Sequence, residues 1–222
     1  MARNPSLHRV ALVAGATGLV GRECVRLLSN DNVATEVRAV VRRPLPPDSA
    51  GPRVRECRTD FDQLPYHPEW FEVDWVFCAL GMTMRQAGSR EAFRRVDYEY
   101  PLIIAKAALE RGASHLLLVS ALGANAHSAI FYFRIKGELE EAVRALGYRS
   151  VTIARPSILI GHRQNWRVGE ELGKRMAWLM PPRWRPVHAS QVASALVHAA
   201  HGSASGVQIL KNALLRRMVS PY

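Results

Sequence analysis

The sequence predicts an α/β protein with a doubly wound, mainly parallel sheet and a small C-terminal elaboration. Three observations carry this expectation. Apolar runs alternate with amphipathic stretches along most of the 222 residues, the rhythm that builds a parallel sheet covered by helices. The connections are long enough for helical crossovers. The first apolar run also passes into its amphipathic stretch through glycines at 15, 18 and 21, where a strand turns into a helix.

The elements follow in order. RVALVAG (9–15) reads as a strand and GLVGRECVRLLSN (18–30) as a helix closing in polar Ser29 and Asn30. EVRAVVRR (36–43) alternates as a second strand, and the proline-rich PLPPDSAGP (44–52) is a loop. RVRECRTDF (53–61) gives a weak third strand and DWVFCALG (74–81) a strong fourth. The stretch 89–112 has helical periodicity, with Ser89 as N-cap, Gly112 as stop and a kink or restart at Pro101. SHLLLVSALGA (114–124) is a strand running into a loop, 128–147 a helix closed by glycine, and 149–161 a strand broken by Pro156. Beyond residue 161 the rhythm changes, with a helix at 188–200 and a short strand at 205–210. The expected organisation is one domain over 1–222, with a dinucleotide-binding core at 9–161 and a substrate-side elaboration at 162–222, too short for a core of its own.

Composition narrows the class. Apolar residues make up 48 % of the chain, enough for a substantial core, and no apolar run has the length of a membrane span. The three cysteines, Cys24, Cys57 and Cys78, are odd in number and widely spaced. This speaks against a disulfide framework or a zinc site and for a reduced, cytoplasmic protein. Cys78, in an apolar strand, reads as a small buried hydrophobe. The formal charge is +11, but the arginines are dispersed and no nucleic-acid recognition motif accompanies them. His198 and His201 lie three apart without an acid or cysteine nearby in sequence, so no metal site is expected. Trp166, Trp178 and Trp184 are read either as lining of a substrate pocket or as core of a C-terminal lid.

The glycine turn has a physical logic. The first glycine permits the tight turn, the second lets backbone approach a pyrophosphate, and the third lets helix and strand pack closely. The phosphates then meet free N–H groups and the positive end of the helix dipole. The second strand ends in Arg42 and Arg43 with no acid. That suits a ribose 2′-phosphate rather than a 2′-hydroxyl and favours NADP(H) over NAD(H). Further on, Ser120 ends the fifth strand, Tyr132 follows twelve residues later, and Lys136 lies one helical turn beyond. A nearby ammonium would lower the Tyr132 pKa and make it a general acid or base for a carbonyl/alcohol pair. Ser120 could hydrogen-bond the same substrate oxygen.

In this order and spacing, the glycine turn and Ser120, Tyr132 and Lys136 resemble the short-chain dehydrogenase/reductase superfamily over about residues 9 to 200. VAGATGLVG, FCALGMT, AGSREAFRRVDYEY, LVSALGANAHSAIFYFRIKGELE and IARPSILIG are similar to its atypical, Tat-interactive-protein-like subgroup. The resemblance implies a Rossmann fold with NADP(H) at the carboxyl edge of the sheet. It implies phosphate contacts from Gly15, Thr17, Gly18, Leu19, Val20 and Gly21, and adenine contacts from Asp60 and Phe61. Ala79, Leu80 and Gly81 would flank the adenosine ribose, and Pro156, Ser157, Ile158 and Leu159 the nicotinamide. Ser120, Tyr132 and Lys136 would be catalytic, with Tyr132 and Lys136 also touching the cofactor. The helix before the fifth strand carries Asp97, with no asparagine to complete the proton relay of many superfamily members. The expected function is an NADP(H)-dependent oxidoreductase acting on a small carbonyl or alcohol. The rival is an NADPH-binding regulator with little turnover. Neither reading needs nucleic acid or a membrane, and a homo-oligomer stays open.

Overall fold

The computed structural model describes residues 8–49, 51–161, 181, 184–202 and 204–218. Seven strands form the central sheet: β1 (Arg9–Ala14), β2 (Ala34–Val41), β3 (Val54–Arg58), β4 (Trp75–Cys78), β5 (His115–Val119), β6 (Ser150–Arg155) and β9 (Gly206–Lys211). Their spatial order is β3-β2-β1-β4-β5-β6-β9 and each neighbouring pair is parallel. β7 (Leu159–Ile160) and β8 (Val187–His188) pair separately. The order reverses between β1 and β4, so a crevice opens where their carboxyl ends diverge, the usual ligand position in such sheets. This is a Rossmann-like α/β fold.

Both faces of the sheet are covered, which explains why the strands read as unbroken apolar runs. Ala11 and Val13 of β1 point to one side, where α1 (Leu19–Ser29) presents Val20, Cys24, Val25 and Leu28, and α6 (Ala189–His201) presents Val192, Ala193 and Leu196. Val10, Leu12 and Ala14 point to the other side, where α4 (Tyr100–Glu110) and α5 (Phe131–Arg144) present Ile104, Ala108, Leu139 and Val143. The period of two in the strand and the four-residue spacing in the helices meet across each layer.

Several boundaries differ from the sequence expectation. The third strand stops at Arg58; Asp60 then caps a 3-10 turn over Phe61–Tyr66 by accepting the Asp62 N–H at 3.3 Å. The stretch expected as one helix at 89–112 divides into α3 (Arg90–Arg94), a π-helical turn (Arg95–Glu99) and α4. Ser89 does cap it, accepting the Ala92 N–H at 3.0 Å. Pro101 has no N–H and crowds the carbonyl four residues back, that of Asp97. The widened turn just before it, in which the Tyr100 N–H reaches back to the Arg95 carbonyl, relieves that conflict.

α5 starts at Phe131 rather than 128, because Ser128 Oγ takes the Ile130 N–H in a local turn at 3.2 Å. Pro156 ends β6, and the chain beyond it pairs with β8 instead. Part of the 162–222 segment also builds the main sheet, since β9 is its edge strand beside β6 and α6 packs on α1. α2 (Met84–Ala87) and α7 (Asn212–Leu215) complete the described helices.

All three cysteines are buried and unpaired. Burial pushes the thiols of Cys57 and Cys78 up to about 11 and that of Cys24 higher still. Among the described residues no helix is long and apolar enough to cross a membrane, and no cluster of His, Cys, Asp or Glu could hold a metal.

Candidate cofactor and proton-transfer site

The glycine turn lies at the crevice between β1 and β4. Gly15 has φ +83°, and a Cβ there would stand 2.6 Å from the Ala79 carbonyl oxygen. The first turn therefore touches the end of β4 directly, and only glycine allows both the conformation and the contact. A Cβ on Gly21 would stand 2.1 Å from the Gly15 carbonyl oxygen, so the third glycine lets α1 start against the turn. Gly18 caps α1 without any side-chain hydrogen bond, and no acid occupies the first helical turn. The N–H groups of Leu19, Val20 and Gly21 thus have no intrahelical acceptor. This cradle fits a pyrophosphate: backbone donors, no side chain in the way and no competing negative charge. Thr17 is exposed beside it.

β4 leads from this turn to a second cluster. After Ala79 and Leu80, Gly81 lies over a buried ion pair: a Cβ on Gly81 would be 3.3 Å from Asp97 Oδ1 and 3.5 Å from Lys136 Nζ. Lys136 Nζ and Asp97 Oδ1 are 2.8 Å apart, with the two side chains 5 % and 1 % exposed. The ammonium meets Oδ1 as a close ion pair, while Oδ2 accepts the Met82 N–H at 2.9 Å. Burial alone would pull the Lys136 ammonium down, but Asp97, with a smaller effect of Tyr132, outweighs it and holds it above the ordinary lysine value.

Tyr132 sits one helical turn before Lys136, half-buried, its ring against Phe93 at 5.6 Å and Phe133 at 5.3 Å between centroids. Its hydroxyl makes no hydrogen bond to another described residue. Its pKa moves opposite to the sequence expectation. Desolvation raises it, Lys136 lowers it, and Asp97 raises it again, so the net direction is up. The expectation considered the lysine without its buried counterion.

Ser120 also differs from expectation. It is buried and its Oγ donates to Glu140 Oε1 at 2.6 Å. Glu140 in turn accepts from Arg155 Nη2 at 2.6 Å and Arg144 Nη2 at 3.1 Å. Its proton being spent on Glu140, Ser120 has only acceptor capacity left for a substrate oxygen. Tyr132, Lys136, Glu140 and Arg144 recur every four residues along one face of α5.

The remaining expected residues are placed as follows. Arg42 and Arg43 are exposed at the end of β2, the Arg42 guanidinium 5.8 Å from the centre of the Phe61 ring. Phe61 is itself buried, edge-on to Tyr100, so its ring belongs mainly to the core, and Asp60 is exposed. Pro156 is buried, Ile158 is exposed, and Ser157 Oγ donates to the Arg185 carbonyl at 2.7 Å. Asn212 Oδ1 takes the Ser157 N–H at 3.0 Å, which ties this segment to the β9–α7 corner. Trp184 is exposed, whereas Trp166 and Trp178 lie outside the described residues.

Sequence reasoning missed three contributors. The Asp97–Lys136 pair had a signal: Phe93, Asp97, Tyr100 and Ile104 form one apolar stripe with a single acid on it, and such an acid needs a buried cation. Glu140 had a weaker one, its i+4 spacing from Lys136. Gly137 had none; a Cβ there would be 2.1 Å from the Ala126 backbone nitrogen, a contact between segments that no local pattern reveals.

The fold and the glycine cradle define a dinucleotide-binding α/β protein. The chain belongs to the NAD(P)H-binding family, whose model matches residues 15–202. Among curated proteins it is similar to protein HTATIP2 of Rattus norvegicus, with 31 % identity over 96 % of this chain and 83 % of the relative. It is also similar to the mitochondrial protein FMP52 of Debaryomyces hansenii, with 33 % identity over 86 % and 87 %. Mitochondrial FMP52-1 of Scheffersomyces stipitis shares 36 % over 69 % of each chain. These mitochondrial relatives overturn the expectation of a cytoplasmic location.

Of the solved structures, MoeE5 in complex with UDP-glucose and NAD superposes with TM-score 0.70 at 21 % identity over 90 % of this chain and 75 % of that one. Bordetella bronchiseptica WbmH in complex with NAD+ superposes with TM-score 0.72 at 12 % identity over 92 % and 76 %. These two likenesses establish the fold. The chain is thus a member of the NAD(P)H-binding family with a Rossmann-like fold.

Proposed function

We propose that this protein is an NADP(H)-dependent oxidoreductase of the short-chain dehydrogenase type, acting on a carbonyl/alcohol pair. One observation carries the reading: residues 79–81 join the two halves of the site. Their first residue presses on Gly15 of the phosphate cradle, and their last covers the Lys136 ammonium, one helical turn from Tyr132, whose hydroxyl has no hydrogen-bond partner among the described residues. A dinucleotide anchored at Gly15–Gly21 would extend past Gly81 toward Tyr132.

In this reading Thr17, Leu19 and Val20 flank the pyrophosphate, and Arg42 and Arg43 hold the 2′-phosphate by charge-assisted bonds. Asp60 and Phe61 border the adenine, Ala79, Leu80 and Gly81 the adenosine ribose, and Pro156, Ser157, Ile158 and Leu159 the nicotinamide. Lys136 reaches the ribose hydroxyls. When bound, NADP(H) supplies or accepts a hydride. Tyr132 moves the proton at the substrate oxygen, and Ser120, its own proton on Glu140, can accept a hydrogen bond only from the alcohol form.

The tests separate binding from turnover. NADPH is expected to raise the midpoint of thermal unfolding more than NADH does, because a ligand of the native state adds about 2.7 kcal/mol at a hundredfold excess over Kd. An equal or larger shift with NADH overturns the assignment of Arg42 and Arg43. Tyr132→Phe is expected to cut turnover on a panel of aldehydes, ketones and quinones by about a hundredfold or more while leaving the NADPH shift in place. A second reading, a cofactor-binding regulator, draws support from the prior engagement of Ser120 with Glu140 and of Lys136 with Asp97. It wins if NADPH binds and neither wild type nor Tyr132→Phe turns over any panel member.

A further inference from the structure

The oxidoreductase reading leaves the direction of the reaction open, and the buried surroundings of Tyr132 bear on it. We propose that Asp97 takes up the charge of Lys136, so that Tyr132 stays protonated at neutral pH and the site works as a proton donor for carbonyl reduction. Asp97 thus acts through Lys136 and Tyr132 as a positioning residue. The inference rests on the reading above for its reaction and on the geometry of three side chains for its electrostatics.

The geometry is specific. Asp97 is wholly buried, and its carboxylate is fixed from two sides, by the Met82 N–H on Oδ2 and by Lys136 Nζ at 2.8 Å from Oδ1. Among the described residues Lys136 is the one cation paired with this carboxylate, so the pair has almost no net charge. The groups that act on the Tyr132 hydroxyl are Lys136 from its own helix and Asp97 from the π-helical turn packed against it. Those that act on Lys136 are Asp97, Tyr132 and, from β4, Cys78, whose thiol burial keeps neutral. A lone ammonium near a phenol favours the phenolate; an ammonium already paired with a carboxylate favours it much less. What then dominates at Tyr132 is the cost of placing a phenolate in a half-buried site against Phe93 and Phe133. Ser120 cannot share the task, because its proton goes to Glu140. Tyr132 is therefore the one neutral donor among these three groups for an incoming carbonyl oxygen.

In that direction a C–H bond forms at the carbonyl carbon with the hydride of NADPH, and an O–H bond forms with the Tyr132 proton. The C=O π bond is broken, the carbonyl is reduced to the alcohol, and NADPH is oxidised to NADP+. The phenolate left behind regains a proton from solvent. In the reverse direction Tyr132 must first lose its proton, which the paired lysine does little to assist. Reduction is expected to be nearly constant across neutral pH and to fall as Tyr132 ionises. Alcohol oxidation is expected to climb by about tenfold per pH unit until it does.

The test needs no cofactor and no substrate. The phenolate absorbance of the apoprotein is titrated, and the curve of Tyr132→Phe is subtracted to isolate Tyr132. In wild type, Tyr132 is expected to ionise above the ordinary tyrosine value of about 10. Asp97→Asn keeps shape and can still accept the Met82 N–H, and it is expected to bring that ionisation down by at least about one pH unit. The doubly neutral Asp97→Asn/Lys136→Met is expected to titrate within about half a unit of wild type, because it removes both charges together. Should Asp97→Asn fail to fold, the double variant against Lys136→Met reads the same acid, and removing it should again lower the ionisation. An unmoved phenolate titration in either comparison overturns the proposal, as does a wild-type Tyr132 that ionises near neutrality. A protein that passes this titration yet reduces no carbonyl sinks the oxidoreductase reading instead and leaves the electrostatics standing.

Discussion

At Gly15 a single hydrogen atom is all the fold allows. The residue lies at positive φ with its missing side chain aimed at the backbone of Ala79, so Gly15→Ala meets both conformational strain and a collision with main chain that cannot rotate away. It is expected to lose about 2–4 kcal/mol in urea unfolding and the NADPH-induced thermal shift with it. Glu140 is the converse case, a residue whose charge matters more than its shape. It is buried and neutralises Arg155 and Arg144 while holding the Ser120 proton. Glu140→Gln preserves the volume but strands two guanidinium groups on a neutral amide, and should cost about 3 kcal/mol. A variant as stable as wild type would mean that the arginines find water instead. The glycine was legible in the sequence because its requirement is local, a turn between strand and helix. The glutamate was much less so: Arg144 is one turn on along α5, but Arg155 and Ser120 lie on β6 and at the end of β5, and no spacing along the chain records which groups meet across a layer.

The elements themselves were readable wherever burial imposes a period. The apolar runs of β1, β4 and β5 and the four-residue stripes of α1 and α5 follow from having one or two faces against the core. Where local hydrogen bonding competes with the period, the reading slipped: at Ser128, which delays α5, and at Pro101, which widens the turn before α4. α5 also shows how an element is placed by a contact outside itself. Helix propensity favours Gly137→Ala by about 1 kcal/mol. Against this stands a Cβ 2.1 Å from the Ala126 nitrogen, which would push the helix off the 125–126 loop. We expect the clash to win, giving a net loss of stability by urea unfolding. Because Tyr132 and Lys136 ride on the same helix, the Tyr132 titration should move too. A stabilised Gly137→Ala would show that the loop yields.

For the molecule as a whole, stability should depend on pH through a histidine far from the candidate site. His115 begins β5, buried, with Nε2 2.9 Å from Thr152 Oγ1, and burial lowers its pKa to about 4. In the unfolded chain the value is about 6.5. Between these limits the unfolded state binds more protons, so the native state loses stability as pH falls from about 6.5 to about 4, by at most roughly 3 kcal/mol. Above that window the contribution is complete. Unfolding free energies at about pH 7 and about pH 5 should therefore differ more in wild type than in His115→Asn; equal differences would show that His115 does not titrate on unfolding.

The three buried thiols give the same molecule a set of internal clocks. A thiol that is inaccessible and held protonated reacts with an alkylating reagent only when its surroundings open. Cys57 lies on β3 at the edge of the sheet, Cys78 on β4 near its centre, and Cys24 on α1 against the strands. Their labelling rates under native conditions thus report three openings of increasing depth, the edge first. A dinucleotide seated between β1 and β4 should slow Cys24 and Cys78 while leaving Cys57 nearly unchanged, which turns the position of the crevice into a difference in reaction times.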